Sequence, residues 1–310
     1  METPLVSICS ITYNHAPFIR QCLDGFLMQQ CNFPIEIIIN DDCSTDGTTE
    51  IIREYAEKYP DKIFPIFHEE NLYTQGVRGM FQKFVFPKAR GKYIALCEGD
   101  DYWTDPLKLQ KQVDFLESHP DYSMCCHAAV IKTSEFEKIQ TANSNSDCDL
   151  LMEDVFLRGG EYIVTASICC RQSLLGEFRA FSLGCPVGDY PLQIWCAMNG
   201  KIRHLNNVMA VYNFGHQGSW SATRHYTDVV MKLIQWLRIK RSASDEKYSG
   251  LFNTLLSMYY VSCIRCYKRG GKYVKMLTCS LHAIFICRGA FLRRWFCTSR
   301  FKSLFVIGDC

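Results

Sequence analysis

Apolar residues along this chain fall alternately into short continuous runs and helically spaced stripes. Residues 5–12 (Leu-Val-Ser-Ile-Cys-Ser-Ile-Thr) read as a buried strand, and Ile19, Leu23, Phe26 and Leu27 mark the helix after it. Residues 35–39 form a β-branched second strand. Ile51, Ile52, Tyr55, Ala56 and Tyr59 repeat the helical spacing, and residues 63–67 are a third strand. A helix is expected over 76–90 and a fourth strand over 92–97. Leu109, Val113 and Leu116 then line a helix ending near His119-Pro120. Each connection is long enough for a crossover, which implies parallel strands with helices on both faces. Further strands are expected over 122–131 and within 161–170, and a helix over 191–198. Residues 201–212 are extended, and 141–149 and 181–188 are loops.

From about residue 227 the character changes. Val229, Val230, Leu233, Trp236 and Leu237 mark one helix, and Leu251, Phe252, Leu255, Leu256 and Tyr259 another. The last segment mixes Leu277, Leu281, Ile284, Phe285, Phe291, Trp295 and Phe296 with Arg288, Arg293, Arg294, Arg300 and Lys302. Such a basic, aromatic, amphipathic helix can lie in a membrane interface. It can equally be a helical hairpin packed on the preceding domain, or a homodimer contact. The expected organisation is a domain over 1–222, dividing at about 132, then a helical extension over 223–310.

Composition narrows the classes. A chain of 310 residues with 48% apolar and 21% charged residues can bury a large core. A net charge of +2 argues against a dedicated nucleic-acid binder. The 18 cysteines are scattered through apolar runs, and a chain this long does not need a disulfide framework. They read as reduced core thiols, which implies a cytoplasmic protein, with the inner face of the cell membrane as the alternative if the tail binds lipid. Cys263 and Cys266 lack a second pair at zinc spacing. The start, Met1-Glu2-Thr3-Pro4, lacks a basic region followed by an apolar core, so no signal peptide is expected. No apolar stretch is long enough to span a bilayer.

The chemistry concentrates where the fourth strand ends. Tyr93-Ile94-Ala95-Leu96-Cys97 runs into Glu98-Gly99-Asp100-Asp101. Carboxylates this close repel one another and are costly to desolvate, and a divalent cation relieves both problems. Mg2+ or Mn2+ would take oxygen ligands here together with a substrate phosphate. The plain alternative is a polar turn before a helix, with Asp105 as N-cap and Pro106 at the first helical position. It accounts for Asp105 but not for the three acids. In a doubly wound sheet, ligands lie outside the carboxyl ends of the strands. Three such ends carry Thr12–Asn14, Asp41–Asp46 and Glu98–Asp101, and their convergence on one phosphorylated ligand is the main expectation.

These segments resemble the nucleotide-sugar glycosyltransferases of family 2, over roughly the first two-thirds of the chain. The resemblance rests on Val6-Ser7-Ile8 with Thr12-Tyr13-Asn14, on residues 36–48 (Glu-Ile-Ile-Ile-Asn-Asp-Asp-Cys-Ser-Thr-Asp-Gly-Thr), and on residues 91–103. It is closest to bacterial members that build surface polysaccharides. It implies an α/β GT-A fold, a Rossmann-like mixed sheet flanked by helices, with the C-terminal helices as an extension. Thr12, Tyr13, Asn14, Asp41, Asp42, Glu98, Gly99 and Asp100 would then bind the nucleotide, Asp41 accepting a hydrogen bond from the base. Asp100 and Asp101, with the late His216, would hold Mg2+ or Mn2+, although Glu98 replaces the first Asp of the usual Asp-x-Asp. Asp189 would be the catalytic base. The Gln-x-x-Arg-Trp signature of processive synthases is absent, which favours single-sugar addition. The implied partners are a nucleotide-sugar donor, a UDP-sugar first, and a glycan or lipid-linked acceptor. Two alternatives keep the fold: an inactive nucleotide-sugar-binding scaffold, and a sugar nucleotidyltransferase. The latter would want a Gly-rich basic first loop, which residues 6–14 lack.

Overall fold

Buried strands explain most of the architecture. The computed structural model describes residues 3–142, 146–223 and 226–287. The basic-aromatic residues from Arg288 to Lys302 and residues 143–145 of the polar loop lie outside the described residues. The elements are, in order, β1 (Val6–Thr12), α1 (Ile19–Leu27), β2 (Ile35–Asp41), α2 (Thr48–Lys58), β3 (Ile63–Phe67), β4 (Tyr93–Leu96), β5 (Tyr102–Trp103), α3 (Lys108–Ser118) and β6 (Tyr122–Lys132). They continue as β7 (Glu137–Gln140), β8 (Cys148–Leu150), α4 (Met152–Arg158), β9 (Cys169–Arg171), α5 (Leu175–Ser182), α6 (Asp189–Asn199) and β10 (Lys201–Asn213). Last come α7 (Trp220–Thr223), α8 (Tyr226–Ala243), α9 (Glu246–Arg269) and α10 (Tyr273–Cys287).

The chain divides into two compact units. One comprises 1–155, 160–183 and 187–223, the other 156–159, 184–186 and 224 onward. The first holds a mixed sheet in the order β3-β2-β1-β4-β9-β6-β10-β5, with β7 beside β6 and β8 beside β10. Strands β3, β2, β1 and β4 are mutually parallel. In β1, β2 and β4 the side chains are buried on both faces (Val6, Ile8, Cys9, Ile37–Ile39, Tyr93–Leu96), which is why they read as continuous apolar runs. The short β9 runs antiparallel between β4 and β6, and β6 pairs in parallel with β10, so the sheet is mixed as expected.

Two expectations change. The segment 76–90 is not one helix: only Phe81–Lys88 is helical, as a π turn followed by a 3-10 turn. Gly76 and Gly79 take left-handed φ of 87° and 75°, and Pro87 cannot continue a ladder. Helix α3 starts at Lys108 rather than Pro106. The Asp105 carboxylate accepts from the Leu107 N–H at 2.8 Å, one turn ahead of the helix.

Helix α1 buries Ile19, Cys22, Leu23 and Phe26, one face at helical spacing. Its Gly25 lets the helix lie against β5, because a Cβ there would meet the Trp103 backbone nitrogen at 3.0 Å. Behind the 98–103 turn a polar raft is buried. Lys108 is fully buried, with Nζ 2.8 Å from Gln112 Oε1 and 3.9 Å from the Trp103 ring centre. Gln112 Nε2 donates to the Cys125 and Ser167 carbonyls, both at 2.8 Å, and Trp103 Nε1 donates to the Ala166 carbonyl at 2.9 Å. At the opposite strand ends, buried Glu36 accepts from Ser7 Oγ and from the Arg90 amide and guanidinium. No disulfide links the cysteines of the described residues; Cys9, Cys22, Cys97, Cys125 and Cys169 are buried thiols.

In the second unit, α9 packs against α8 and α10, burying Val230, Leu233, Ile234 and Trp236 with Phe252, Leu255, Leu256 and Tyr260. Among the described residues no helix is long and apolar enough to cross a membrane.

Burial pulls the Lys108 ammonium down to about 8 from its usual 10.5. The free lysine of the unfolded chain holds its proton between those values, whereas the folded one releases it. Stability therefore carries the full penalty below pH 8 and recovers as pH climbs toward 10.5. The Lys108→Met variant loses this term. Denaturant unfolding should show wild type gaining ~2 kcal/mol on the variant between pH 7 and pH 10. A pH-independent difference would mean that the ammonium is not desolvated.

Candidate active site

Strand β1 is the switch point of the parallel sheet, with β2 on one side and β4 on the other. The carboxyl ends of the three strands adjoin. Thr12 is in register with Asp41, Asp42 N donates to the Thr12 carbonyl at 3.0 Å, and Gly99 N donates to the Ile11 carbonyl at 2.9 Å. The three turns expected to converge do meet here. A Cβ on Gly99 would fall 2.6 Å from Thr12 Oγ1, so this approach needs glycine.

The first loop and the acidic turn after β2 fasten to each other. Asn14 adopts a left-handed φ of 54°, which Asn tolerates better than most residues. Its backbone N–H donates to Ser44 Oγ, and its side-chain oxygen accepts from the Thr45 N–H, both at 2.8 Å. His15 N donates to Thr48 Oγ1 at 2.8 Å, and Ala16 N to Asp46 Oδ2 at 3.0 Å. Asp41 Oδ1 accepts from Ser44 N and Oγ, and its Oδ2 accepts from Thr49 Oγ1. Asp42 takes the Leu72 and Tyr73 amides at 2.9 and 3.0 Å, holding the segment after β3. Both acids therefore shape the turn, whatever else they bind. Tyr13 is 40% exposed beside them.

The turn after β4 is clamped from β10. Asp101 Oδ1 accepts from Asn213 N at 2.9 Å, and Asn213 Nδ2 donates to the Asp100 carbonyl at 2.6 Å. That clamp also directs the following loop, which brings His216 Nε2 to 2.9 Å from Asp100 Oδ2. His216 Nδ1 lies 3.1 Å from the Gln217 carbonyl. A carbonyl only accepts, so Nδ1 carries the hydrogen. In the neutral ring, Nε2 then aims a lone pair at a carboxylate, an arrangement that calls for a cation, either a proton or a metal. His15 approaches the same oxygen from the other side, with Nε2 at 3.7 Å.

Charge is divided sharply among these groups. Burial alone would raise Asp100, but the His216 hydrogen bond and the His15 and His216 charges hold its carboxyl below the ordinary value. Burial, then the Asp100 charge, pushes Asp101 well up. Burial followed by Asp100 and Asp189 lifts Glu98 to about 8. His216 is raised by its bond to Asp100, whereas burial lowers His15. Tyr212, on β10, feels Asp101, Glu98, Asp189 and Asp100 together and is pushed up by burial and by all four. Asp189 starts α6 within the same field, with Thr165 Oγ1 at 3.5 Å from its Oδ2.

These residues suit a hard divalent cation. Asp100 Oδ1 and Asp101 Oδ2 are buried without a hydrogen-bond partner among the described residues. The groups His15–Asp100–His216 and Glu98–Asp100–Asp101 each bring their ligand atoms within 4.8 Å of one another. Carboxylate oxygens suit Mg2+ and Mn2+, and imidazole adds a donor that transition ions accept more readily than Mg2+ does. Sequence reasoning missed His15, Tyr212 and Asn213. His15 directly follows the first-loop motif and could have been suspected; Tyr212 and Asn213 have no sequence signal beyond ending an extended run.

A family model described as "Glycosyl transferase family 2" matches residues 7–176. An uncharacterised protein of Mycobacterium tuberculosis H37Rv is 41% identical over 230 residues, 72% of this chain and 62% of that protein. A Bacillus subtilis protein named as a putative teichuronic acid biosynthesis glycosyltransferase is 36% identical over 113 residues, 36% of this chain and 42% of its own. Among solved structures, Staphylococcus aureus TarS 1–349 in complex with UDP-GlcNAc matches with a TM-score of 0.58 at 16% identity, covering 89% of this chain and 90% of that one. The mannosyltransferase PcManGT of Pyrobaculum calidifontis, in complex with GDP-Man and Mn2+, matches with 0.53 at 17%, covering 95% and 83%. At these identities the two structures establish a common fold.

Proposed function

The chain belongs to glycosyl transferase family 2, and from that premise we propose an inverting, metal-dependent transferase. It moves a sugar from a nucleotide donor, a UDP-sugar, to a hydroxyl of a glycan or lipid-linked oligosaccharide in surface-polysaccharide synthesis. The observation that carries the reading is the meeting of three strand ends around Asp100, with Asp189 in the same electrostatic field. The teichuronic acid relative supports the polysaccharide assignment, and the UDP-GlcNAc complex of TarS supports UDP as the nucleotide.

Thr12, Tyr13, Asn14, Asp41, Asp42, Glu98 and Gly99 line the nucleotide side. Asp100, Asp101 and His216 would hold Mg2+ or Mn2+; the Mn2+ in the PcManGT complex supports a divalent ion. Such an ion, when bound, offsets charge growing on the leaving diphosphate. Asp189 accepts the proton of the acceptor hydroxyl as it attacks the anomeric carbon. Burial, then Asp100 and Asp189, lift the Glu98 carboxyl to about 8, so the two acids stand in different environments. Attack from the face opposite the diphosphate inverts the anomeric centre without a covalent intermediate.

The second unit supports a peripheral contact with an anionic membrane, at the inner face of the cell envelope. On α10, Tyr273, Val274, Leu277, Leu281, Ile284 and Phe285 are all exposed, Val274 and Phe285 above 80%. From 247 to 308 the sequence has 11 Lys and Arg and no Asp or Glu. The remaining 23 of the 34 basic residues stand against all 32 acids, so the near-neutral total conceals an acidic body and a basic tail. Apolar insertion and attraction to anionic headgroups add together.

Two experiments test these readings. Asp100→Ala and Asp189→Asn should each lower sugar transfer at least ~100-fold in an assay with Mn2+ and a panel of UDP- and GDP-sugars. UDP binding without any turnover by wild type would favour the scaffold reading, and full activity in both variants would remove the assignments. For the membrane contact, full-length protein should sediment with phosphatidylglycerol–phosphatidylcholine vesicles but not with phosphatidylcholine alone. Leu277→Glu/Phe285→Glu should abolish this. Vesicle-independent dimerisation that the same variant breaks would assign the face to a second copy instead.

A further inference from the structure

We propose that His15 is a ligand of the divalent cation, so that one carboxylate stands between two imidazoles and the site prefers Mn2+ to Mg2+. The inference rests on the metal-dependent reading above and adds a ligand and a selectivity to it. The first observation is convergence. His15 Nε2 lies 3.7 Å from Asp100 Oδ2, and His216 Nε2 lies 2.9 Å from the same oxygen. The three ligand atoms all fall within 4.8 Å of one another. Ligands at ~2.1 Å from an octahedral ion stand ~3 Å apart when adjacent and ~4 Å apart when opposite. The observed spacing is of that size. The rings face the carboxylate from different directions, with centroids 6.0 Å apart and planes at 78°, as ligands on separate coordination positions must.

The second observation is how firmly His15 is aimed. Its amide is tied to Thr48 Oγ1, its neighbours Asn14 and Ala16 are tied to Ser44 and Asp46, and its carbonyl accepts from the Phe18 and Ile19 amides. The residue is thus fixed between the acidic turn after β2 and the start of α1. A loop residue held this way and directed at a carboxylate is prepared for binding rather than left to solvent. His15 Nδ1 is buried and has no hydrogen-bond partner among the described residues, and a Cβ on Gly99 would come within 3.2 Å of it. The neighbouring glycine therefore makes room for this ring as well as for Thr12.

The selectivity follows from donor chemistry. Mg2+ demands oxygen ligands and sheds water reluctantly, whereas imidazole nitrogen favours transition ions. Two nitrogens beside one carboxylate gain more with Mn2+ than with Mg2+. Sequence motifs centred on the acids alone describe an oxygen-only site with no such preference.

The test counts nitrogens directly. Pulsed EPR of full-length wild type loaded with Mn2+ and UDP should show 14N modulation from two imidazoles, and from one in His15→Gln. In a Mn2+ titration followed by the free-ion EPR signal, His15→Gln should bind at least ~10-fold more weakly. Competition with Mg2+ should show the Mn2+/Mg2+ preference falling by a similar factor. The pulsed measurement on wild type needs no variant, so misfolding of His15→Gln cannot obscure it. One coupled nitrogen in wild type, or unchanged Mn2+ binding in His15→Gln while Asp100→Ala loses it, would remove His15 and leave the metal-dependent reading intact. No Mn2+ binding by wild type, with or without UDP, would overturn both.

Discussion

The first unit is organised around a conflict of like charges. Glu98, Asp100, Asp101 and Asp189 share one electrostatic neighbourhood around Tyr212, Asp100 and Asp101 buried, Glu98 and Asp189 half-buried. They cannot all ionise there. The chain settles the conflict by unequal environments rather than by distance. Asp100 stays charged because two imidazoles face it. Asp101 is buried against the Asn213 amide, and Glu98 is lifted into the neutral-pH range. Such separation of neighbouring carboxyls is how one site can hold an anion for a cation and a second acid for proton chemistry.

A site that gains little from its own contacts must be held by its surroundings. The holding is done by backbone and short polar side chains. Asn14 and Ser44 exchange the first loop with the acidic turn, Asp42 fixes the segment after β3, and Asn213 closes the turn after β4. Beneath them lie the buried strands and the raft of Trp103, Lys108 and Gln112, which supply rigidity that the turns lack. The same Lys108 pays a desolvation penalty, so the raft is not the cheapest core for this volume. It fixes Trp103 and with it the downstream edge of the acidic turn.

Much of this was legible in the sequence, for physical reasons. Strands buried on both faces must be continuously apolar, so β1, β2 and β4 announced themselves, and carboxylates clustered at strand ends are too costly to be incidental. Two features were not legible. A three-residue strand such as β9 has no periodicity, so its antiparallel insertion could only come from tertiary pairing. The segment 76–90 has helical apolar spacing, but its two left-handed glycines overrule that spacing locally. Of the site residues, those marked by the acidic motifs fell together at the strand ends. His15 was overlooked because its part depends on the loop's direction, set by a left-handed Asn14, and not on its residue type.

The distribution of protons bears on which acid serves as base. Glu98 and Asp189 influence each other, and either could in principle take a proton from a hydroxyl. A base must be ionised before attack, and burial, Asp100 and Asp189 all push Glu98 toward its protonated form. Asp189 heads an eleven-residue helix, where the aligned peptide dipoles favour the charged form. Charging Glu98 as well would set a third anion beside Asp100 and Asp189. On the proposed reading Asp189 is the proton acceptor, and Glu98 is the acid that burial and its neighbours push toward the neutral form.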